Sequence, residues 1–233
     1  KFGPMAIVHF DAHSDTWPDE EGCINHGSMF YHAVKEGIID VEHSVQVGIR
    51  TQNDYDAGVH VIDAPRVHEQ GWATTVAQIK EIVGNHPTYL TFDIDCLDPA
   101  YAPGTGTPSH GGFLYYEVLE ILQGLAKQGD VVGIDLVEVA PDYDPAGITA
   151  FLAAHDRADI VGIVQAVDYC QITLTRHAEH HIDAVQPQGV DDGVAGQTAA
   201  LCSGVSISGV NGRCTHPRIL CIFGSWVYRG LPR

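Results

Sequence analysis

Short apolar segments alternate with amphipathic ones from residue 5 to residue 141, and this alternation restricts the fold more than any other feature of the sequence. The segments with the apolar character of strands are residues 5–12, 44–50, 59–64, 87–99 and 130–141. Those with apolar residues at helical spacing are residues 28–39, 72–84 and 113–128. This order predicts an α/β fold in which a mainly parallel sheet is covered by helices on both faces. In such a sheet, ligands bind beyond the carboxyl ends of the strands.

The composition favours one main globular domain that does not bind nucleic acid. The chain has 233 residues, of which 45% are hydrophobic, and its formal net charge is −18. So large a negative charge repels phosphate groups and attracts cations. The sequence has neither an apolar run of about 18 residues, as a membrane span needs, nor a secretory signal at its start. We therefore expect a cytoplasmic protein without a membrane partner, whose six cysteines are reduced.

Potential metal ligands follow two of the predicted strands. Asp11, His13 and Asp15 end the first, and Asp93 and Asp95 lie in the fourth. Alternate residues of a strand share a face, so each set would point one way if the extended conformation continued through it. If the two strands are neighbours, four carboxylates and one imidazole meet in a small volume, and divalent cations would relieve their repulsion.

Such ligands suit manganese or magnesium better than zinc or copper. The alternative for a single motif of this kind is a loop of capping or hydrogen-bonding polar residues. A second motif at a second strand end favours the metal interpretation.

Four segments in register resemble one family. The segments "FDAHSDT", "NHGSMF", "LTFDIDCLDPAYAPGTGTP" and "GIDLVEVAPDYD" are similar to those of the ureohydrolases (arginase, agmatinase and relatives), and most of all to the agmatinases. The resemblance covers residues 5–154. It implies an arginase-like three-layer α/β fold and hydrolysis of agmatine to putrescine and urea, by a hydroxide that bridges two manganese ions. Arginase or guanidinobutyrase specificity is the alternative, and a deacetylase-like metal hydrolase fits the paired motifs less well.

The resemblance also implies a role for each motif residue. Asp11 and Asp93 would bridge the two ions, Asp15 would complete the first ion, and His13 with Asp95 would complete the second. His26 matches the family's proton-shuttling histidine near the leaving amine. Glu138 matches the glutamate that holds the guanidinium cation, a role that suits a carboxylate facing a planar cation.

The loop between the first metal motif and His26 favours agmatine over arginine as the substrate. It contains Asp19, Glu20 and Glu21 and no basic residue that would hold an α-carboxylate. The family commonly forms trimers or hexamers, so a homotrimer or homohexamer is expected if the chain assembles as its relatives do.

Both ends of the chain depart from the family pattern. The family's first ion is also held by a histidine in a "GGDH"-type segment, whereas ten residues precede Asp11 here. We therefore expect a chain that is truncated at its N-terminus, and an inactive fragment is the alternative to an active enzyme. After about residue 155 the sequence is atypical, so residues 1–155 are predicted to form a partial ureohydrolase-like domain and residues 156–233 a poorly ordered segment. A shifted reading frame near residue 155 is one hypothesis for this change.

Other polar and aromatic residues receive structural interpretations. His9 is expected to be buried and hydrogen-bonded, and His110 to be a solvated loop residue. Asp98 is expected to stabilise a turn. The aromatic residues Phe113, Tyr115 and Tyr116 are expected in the core.

Overall fold

Six parallel strands form the centre of the structure, a computed structural model that describes residues 2–18, 25–55, 57–126 and 131–153 and the backbone of residues 169–174. The strands are β1 (Ala6–Phe10), β2 (Val45–Val47), β3 (His60–Ile62), β4 (Thr88–Asp93), β5 (Val131–Val139) and β6 (Tyr169–Leu174). Their order in the sheet is β3-β2-β1-β4-β5-β6, and every neighbouring pair is parallel. The predicted parallel sheet is confirmed. Apart from β6, residues 156–233 lie outside the described residues.

Helices cover both faces of this sheet. They are α1 (Met29–Lys35), α2 (Ala64–Gln70), α3 (Trp72–Val83) and α4 (Tyr115–Ala126), with a short helix at residues 148–153. Alternate residues of β1 face opposite sides of the sheet. Val8 and Phe10 join the larger core with α2, α3 and α4. Ile7 packs on the other side, with Phe30 and Ala33 of α1. The predicted three-layer arrangement is therefore confirmed. None of the described helices is both long and apolar enough to cross a membrane.

Helix α2 was not predicted from the sequence, and the strand expected at residues 59–64 is shorter than its apolar run. The side chain of Asp63 caps the helix by accepting a hydrogen bond from the backbone N–H of Arg66 at 2.8 Å. Pro65 occupies the first turn, where its missing N–H costs nothing. The capping aspartate and the proline therefore start a helix at Ala64, although residues 59–64 have the apolar character of a strand.

Strands β1 and β4 also end earlier than predicted. β1 stops at Phe10, and β4 gives way to a 3-10 turn over Ile94–Cys96. Asp15 has a left-handed backbone with φ of 51°. The extended alternation expected for the metal motifs therefore does not continue through them, and another device must bring their side chains together.

The aromatic residues at the start of α4 divide between core and solvent. Phe113 is fully buried, as predicted, whereas Tyr116 is 75% exposed. The prediction for Tyr116 is wrong because the buried side of α4 runs through Val118, Ile121 and Leu122. A residue two positions before Val118 lies on the opposite side of the helix.

Candidate active site

Two aspartates stand at the carboxyl ends of neighbouring central strands. Phe10, the last residue of β1, pairs with Phe92 of β4. Asp11 follows the first of these residues and Asp93 the second, so their side chains leave the sheet at the same level. Both aspartates are almost fully buried, at 1% and 4% exposure. The expected juxtaposition of the two strands is thereby confirmed.

Hydrogen bonds from the backbone fold the chain back immediately after each strand. Asp11 Oδ1 accepts from the N–H of His13 at 2.6 Å, and Asp93 Oδ1 accepts from the N–H of Asp95 at 2.8 Å. Asp95 Oδ1 accepts from the N–H of Ala12 at 3.0 Å, which ties the loop after β4 to the loop after β1. These turns, rather than a continued strand, bring the two motifs together.

The imidazole of His13 lies between carboxylates of the two loops. Its Nδ1 is 3.0 Å from Asp95 Oδ2 and 3.3 Å from Asp11 Oδ1. Burial lowers the pKa of His13, but its hydrogen bonds to these carboxylates outweigh burial and raise the pKa to about 10. Burial likewise acts to raise the pKa of Asp95, but the hydrogen bond and charge of His13, together with the bonds from the Ala12 N–H and Asp11, outweigh burial and lower this pKa. At neutral pH a proton on Nδ1 therefore joins the two loops.

The remaining carboxylates lie in an unfavourable environment. Burial raises the pKa of Asp11, Asp15 and Asp93 well above the usual range. The charge of Asp95 raises the pKa of Asp11 and Asp93 further, and that of Asp11 does so for Asp15. If all four carboxyls were ionised, their negative charge would exceed what the protonated His13 neutralises, so either protons or cations must relieve their repulsion.

The donor atoms present suit a pair of hard divalent cations. The ligand atoms of Asp11, His13 and Asp95 lie within 4.8 Å of one another, and so do those of His9, Asp11 and Asp15. Because the two groups share Asp11, one carboxylate faces both. Oxygen ligands with a single imidazole in the first group match the preference of manganese or magnesium. The residues therefore fit the metal pair that the sequence motifs suggest.

His9 contacts this cluster from within the sheet. As expected it is buried, at 1% exposure, and hydrogen-bonded. Its Nε2 lies 2.7 Å from Asp11 Oδ2, and its Nδ1 lies 3.0 Å from Gln46 Nε2. Burial lowers the pKa of His9 to about 4, so the neutral ring accepts from Gln46 at Nδ1 and donates from Nε2 to Asp11. This chain of bonds fixes the orientation of Asp11.

Gln46 had no role in the sequence-based interpretation. It is fully buried in the middle of β2, and its Nε2 also donates to the carbonyl oxygen of Ser14. A glutamine between two valines in a strand buried on both faces is the signal that would have revealed it, because such a polar group needs partners.

His26 and Glu138 meet across the opening of the cluster. His26 Nδ1 lies 2.9 Å from Glu138 Oε1, and the side chains are 57% and 14% exposed. The hydrogen bond to Glu138 raises the pKa of His26. Glu138 has φ of 63° where the pairing of β5 with β6 shifts register, and the charge of Glu138 helps to raise the pKa of Asp93. The structure thus brings both predicted catalytic residues within electrostatic reach of the metal-type ligands.

Arg50 organises the loop that carries Asp95, a role that no sequence motif predicts. Its Nη2 donates to the carbonyl oxygens of Asp95 at 2.6 Å and Ser109 at 2.7 Å. Longer bonds reach the carbonyl oxygens of Gly48, Cys96, Leu97 and His110. A single guanidinium therefore holds the residues after β4 against the loop at 109–110.

Two structural expectations for this loop are confirmed. Asp98 stabilises a turn by accepting from the N–H groups of Ala100, Gly111 and Gly112 at 3.0, 2.9 and 3.2 Å, and the bond from Ala100 is the main cause of its lowered pKa. His110 is exposed. The acidic residues at positions 19–21, which favoured agmatine as the substrate, lie outside the described residues.

The fold and the buried ligand cluster agree with the comparison to known families. The profile of the Arginase family matches residues 1–161. Because this is more than half of the chain, the chain belongs to the arginase family.

Within that family the chain is similar to several agmatinases. The agmatinase of Chromobacterium violaceum is 53% identical over 167 residues, which are 71% of this chain and 52% of that protein. The agmatinase of Escherichia coli O7:K1 is 56% identical over 154 residues, or 66% of this chain and 49% of that protein. The crystal structure of a hypothetical agmatinase from Burkholderia thailandensis matches with a TM-score of 0.67 and 54% identity, over 69% of this chain and 51% of that one. The chain thus spans about half the length of the relatives it matches.

Proposed function

We propose that this chain forms the catalytic part of an agmatinase, which hydrolyses agmatine to putrescine and urea with two manganese ions. The observation that supports the proposal most directly is the approach of Asp11, His13 and Asp95 to one another at adjoining strand ends, with Asp15 close to Asp11 and with Asp93 within electrostatic reach of Asp11 and Asp95. The agmatinases at 53% and 56% identity favour agmatine as the substrate.

The five ligands divide between two ions. Asp11 and Asp93 would contribute to both ions, Asp15 would complete the first, and His13 with Asp95 would complete the second. When bound, the ions supply Lewis acidity that lowers the pKa of a water molecule and makes it a nucleophile near neutral pH. The chain itself keeps the carboxylates in place against their mutual repulsion, through backbone N–H donors after each strand and through His9.

Glu138 is positioned to hold the guanidinium group of the substrate. Its carboxylate is 14% exposed at the opening of the cluster and is paired with His26 in the free chain. A planar guanidinium cation offers two parallel N–H donors, so it would compete well for this carboxylate. The left-handed backbone at Glu138 is an uncommon conformation for this residue type, as is often found where a side chain serves a site.

His26 is positioned to deliver the proton that the reaction needs. Attack of water on the guanidinium carbon is followed by breakage of the bond to the alkyl nitrogen, and the departing amine must gain a proton. The hydrogen bond to Glu138 raises the pKa of His26 in the free chain and so favours a protonated ring when substrate arrives. A substrate that takes over Glu138 removes this hydrogen bond, which lowers the pKa of His26 again and favours transfer of its proton to the departing nitrogen.

The proposal is tested by urea release from the purified chain after manganese loading, with agmatine, arginine and 4-guanidinobutyrate assayed side by side. We expect manganese-dependent urea from agmatine in preference to the other two. Absence of urea despite two bound ions would support the inactive-fragment alternative, and a preference for arginine would refute the substrate assignment.

Matched variants connect the activity to the cluster. Asp93→Asn removes a bridging charge with little change of shape, and we expect at least about a 100-fold loss of urea release, since even outer partners of a metal site contribute 10–100-fold. Asp63→Asn makes the same change at the start of α2, where asparagine caps equally well. Equal activity of these two variants would contradict the proposal.

A further inference from the structure

A buried glutamine lies beside the metal-type ligands without being one of them. Gln46 is the central residue of β2, between Val45 and Val47, and it is fully buried. It pairs with His9 in the ladder between β1 and β2, so the two side chains lie next to each other on one face of the sheet. A buried polar group costs free energy unless it is hydrogen-bonded, so the partners of Gln46 indicate what it does.

Both side-chain hydrogen bonds of Gln46 come from one atom. Its Nε2 donates to His9 Nδ1 at 3.0 Å and to the carbonyl oxygen of Ser14. An oxygen atom in this position could not bond to the carbonyl oxygen of Ser14, so the amide nitrogen must occupy it and His9 Nδ1 must accept. The proton of the His9 ring then lies on Nε2, which is 2.7 Å from Asp11 Oδ2. Gln46 Oε1 has no hydrogen-bond partner within the part of the chain that the structure describes.

These bonds hold the first metal motif at two points. His9 binds one oxygen of Asp11, and the N–H of His13 donates to the other at 2.6 Å. The ring of His9 also packs against Phe30, with 4.5 Å between the ring centroids. The carbonyl oxygen of Ser14 directly follows His13 in the chain. One amide group therefore restrains both the backbone of the motif and the carboxylate that the two groups of metal-type ligands share.

We infer that Gln46 is a positioning residue for the metal ligands, which holds Asp11 through His9 and the backbone of the motif through Ser14. The inference rests on the proposed manganese site. A carboxylate that is already oriented loses less conformational freedom when it binds an ion, so Gln46 should strengthen manganese binding. The unpaired Oε1 supports this interpretation, because an apolar side chain of the same length would leave no such atom buried if packing alone were needed.

Gln46→Met tests the inference, because methionine has nearly the same length and shape but donates no hydrogen bond. The manganese affinity of the whole chain is measured by titration calorimetry well below the unfolding temperature, so that a change of stability alone does not alter the result. We expect this affinity to fall by about tenfold or more. Gln78→Met makes the same change on α3, where Gln78 Oε1 accepts from Gln70 Nε2 at 3.0 Å, and it should bind manganese as the parent does. Equal affinity of the parent and Gln46→Met would overturn the inference.

Two further measurements show whether Gln46 acts through His9. In the metal-free parent chain, nitrogen-15 NMR should show a proton on His9 Nε2 and none on Nδ1, and a proton on Nδ1 would overturn the inference. In a double-mutant cycle, the combined variant with Gln46→Met and His9→Phe should lose less manganese affinity than the product of the two single losses. Independent losses would also overturn the inference.

The outcome can be told apart from that of the proposed reaction, because none of these measurements uses agmatine. Normal manganese binding without urea release would count against the reaction alone. A parent chain that binds no manganese would overturn both proposals.

Discussion

Replacement of Arg50 by alanine should strongly destabilise the fold, although this residue is only partly buried. Its two shortest hydrogen bonds, to the carbonyl oxygens of Asp95 and Ser109, measure 2.6 and 2.7 Å. Hydrogen bonds to charged groups contribute about 1.5–3 kcal/mol each, so loss of both should reduce the free energy of unfolding by about 3–6 kcal/mol. Since whole domains are stable by only about 5–15 kcal/mol, this variant should be marginally folded.

Arg50→Lys separates charge from geometry. A lysine keeps the positive charge but has a compact ammonium instead of a planar fork, so it cannot reach the carbonyl oxygens of Asp95 and Ser109 in the same way. We expect it to lose about half as much stability, roughly 2 kcal/mol. Because the residue acts through the loop that carries Asp95, both variants should also bind manganese more weakly.

Urea denaturation, with a common slope for all variants, measures these changes. Arg66→Ala is the matched control, because Arg66 is exposed and its side chain makes one long contact of 3.4 Å with Gln70. That variant should lie within about 0.5 kcal/mol of the parent chain. If Arg50→Ala were as stable as Arg66→Ala, the reasoning about Arg50 would be refuted.

The remaining predictions concern protons and steric fit. The pKa of about 10 means that His13 holds a proton in the metal-free chain at neutral pH, which manganese must displace. The affinity of the chain for manganese should therefore rise about tenfold per pH unit between pH 7 and 9. A manganese affinity that does not depend on pH would contradict this. In a histidine NMR titration, His26 should have a pKa above its usual value, and Glu138→Gln should lower it, because the carboxylate is the main cause of the shift. Gly104→Ala should destabilise by about 1–3 kcal/mol, because its Cβ would lie 2.4 Å from Asp144 Cβ; thermal unfolding equal to the parent would exclude this clash.

The active-site ligands could be located from the sequence, although the geometric reason offered was incomplete. The rule that parallel strands present their carboxyl ends at one edge correctly placed Asp11 near Asp93. The alternation rule did not apply to the residues that follow, because each aspartate accepts a backbone hydrogen bond and turns the chain. Asp15 adds a left-handed backbone, which no apolar pattern signals.

The supporting residues were harder to predict for a physical reason. Arg50 binds backbone carbonyl oxygens, which every residue possesses, so its partners leave no trace in the sequence. Gln46 binds one side chain and one carbonyl oxygen, and its only signal is its polar character inside an apolar strand. Glu138 and His26 were paired only through their roles in a family resemblance, because 112 positions separate them.

The buried carboxylates also make stability depend on the cation. A carboxyl whose pKa is raised on folding favours the protonated state, so stability decreases as pH rises above the unfolded value of about 4. The raised pKa values of Asp11, Asp15 and Asp93 therefore act against the fold at neutral pH. A cation that binds the folded state alone offsets this destabilisation, by about 2.7 kcal/mol when its concentration is 100 times its dissociation constant.

Manganese should accordingly raise the unfolding temperature of the parent chain, and it should do so less at pH 5, where more of these carboxyls carry protons. Asp93→Asn removes one of the destabilising charges, so this variant should be more stable than the parent without metal and should gain little from manganese. A calorimetric scan in which both chains respond equally to manganese would show that the cluster does not hold the ion.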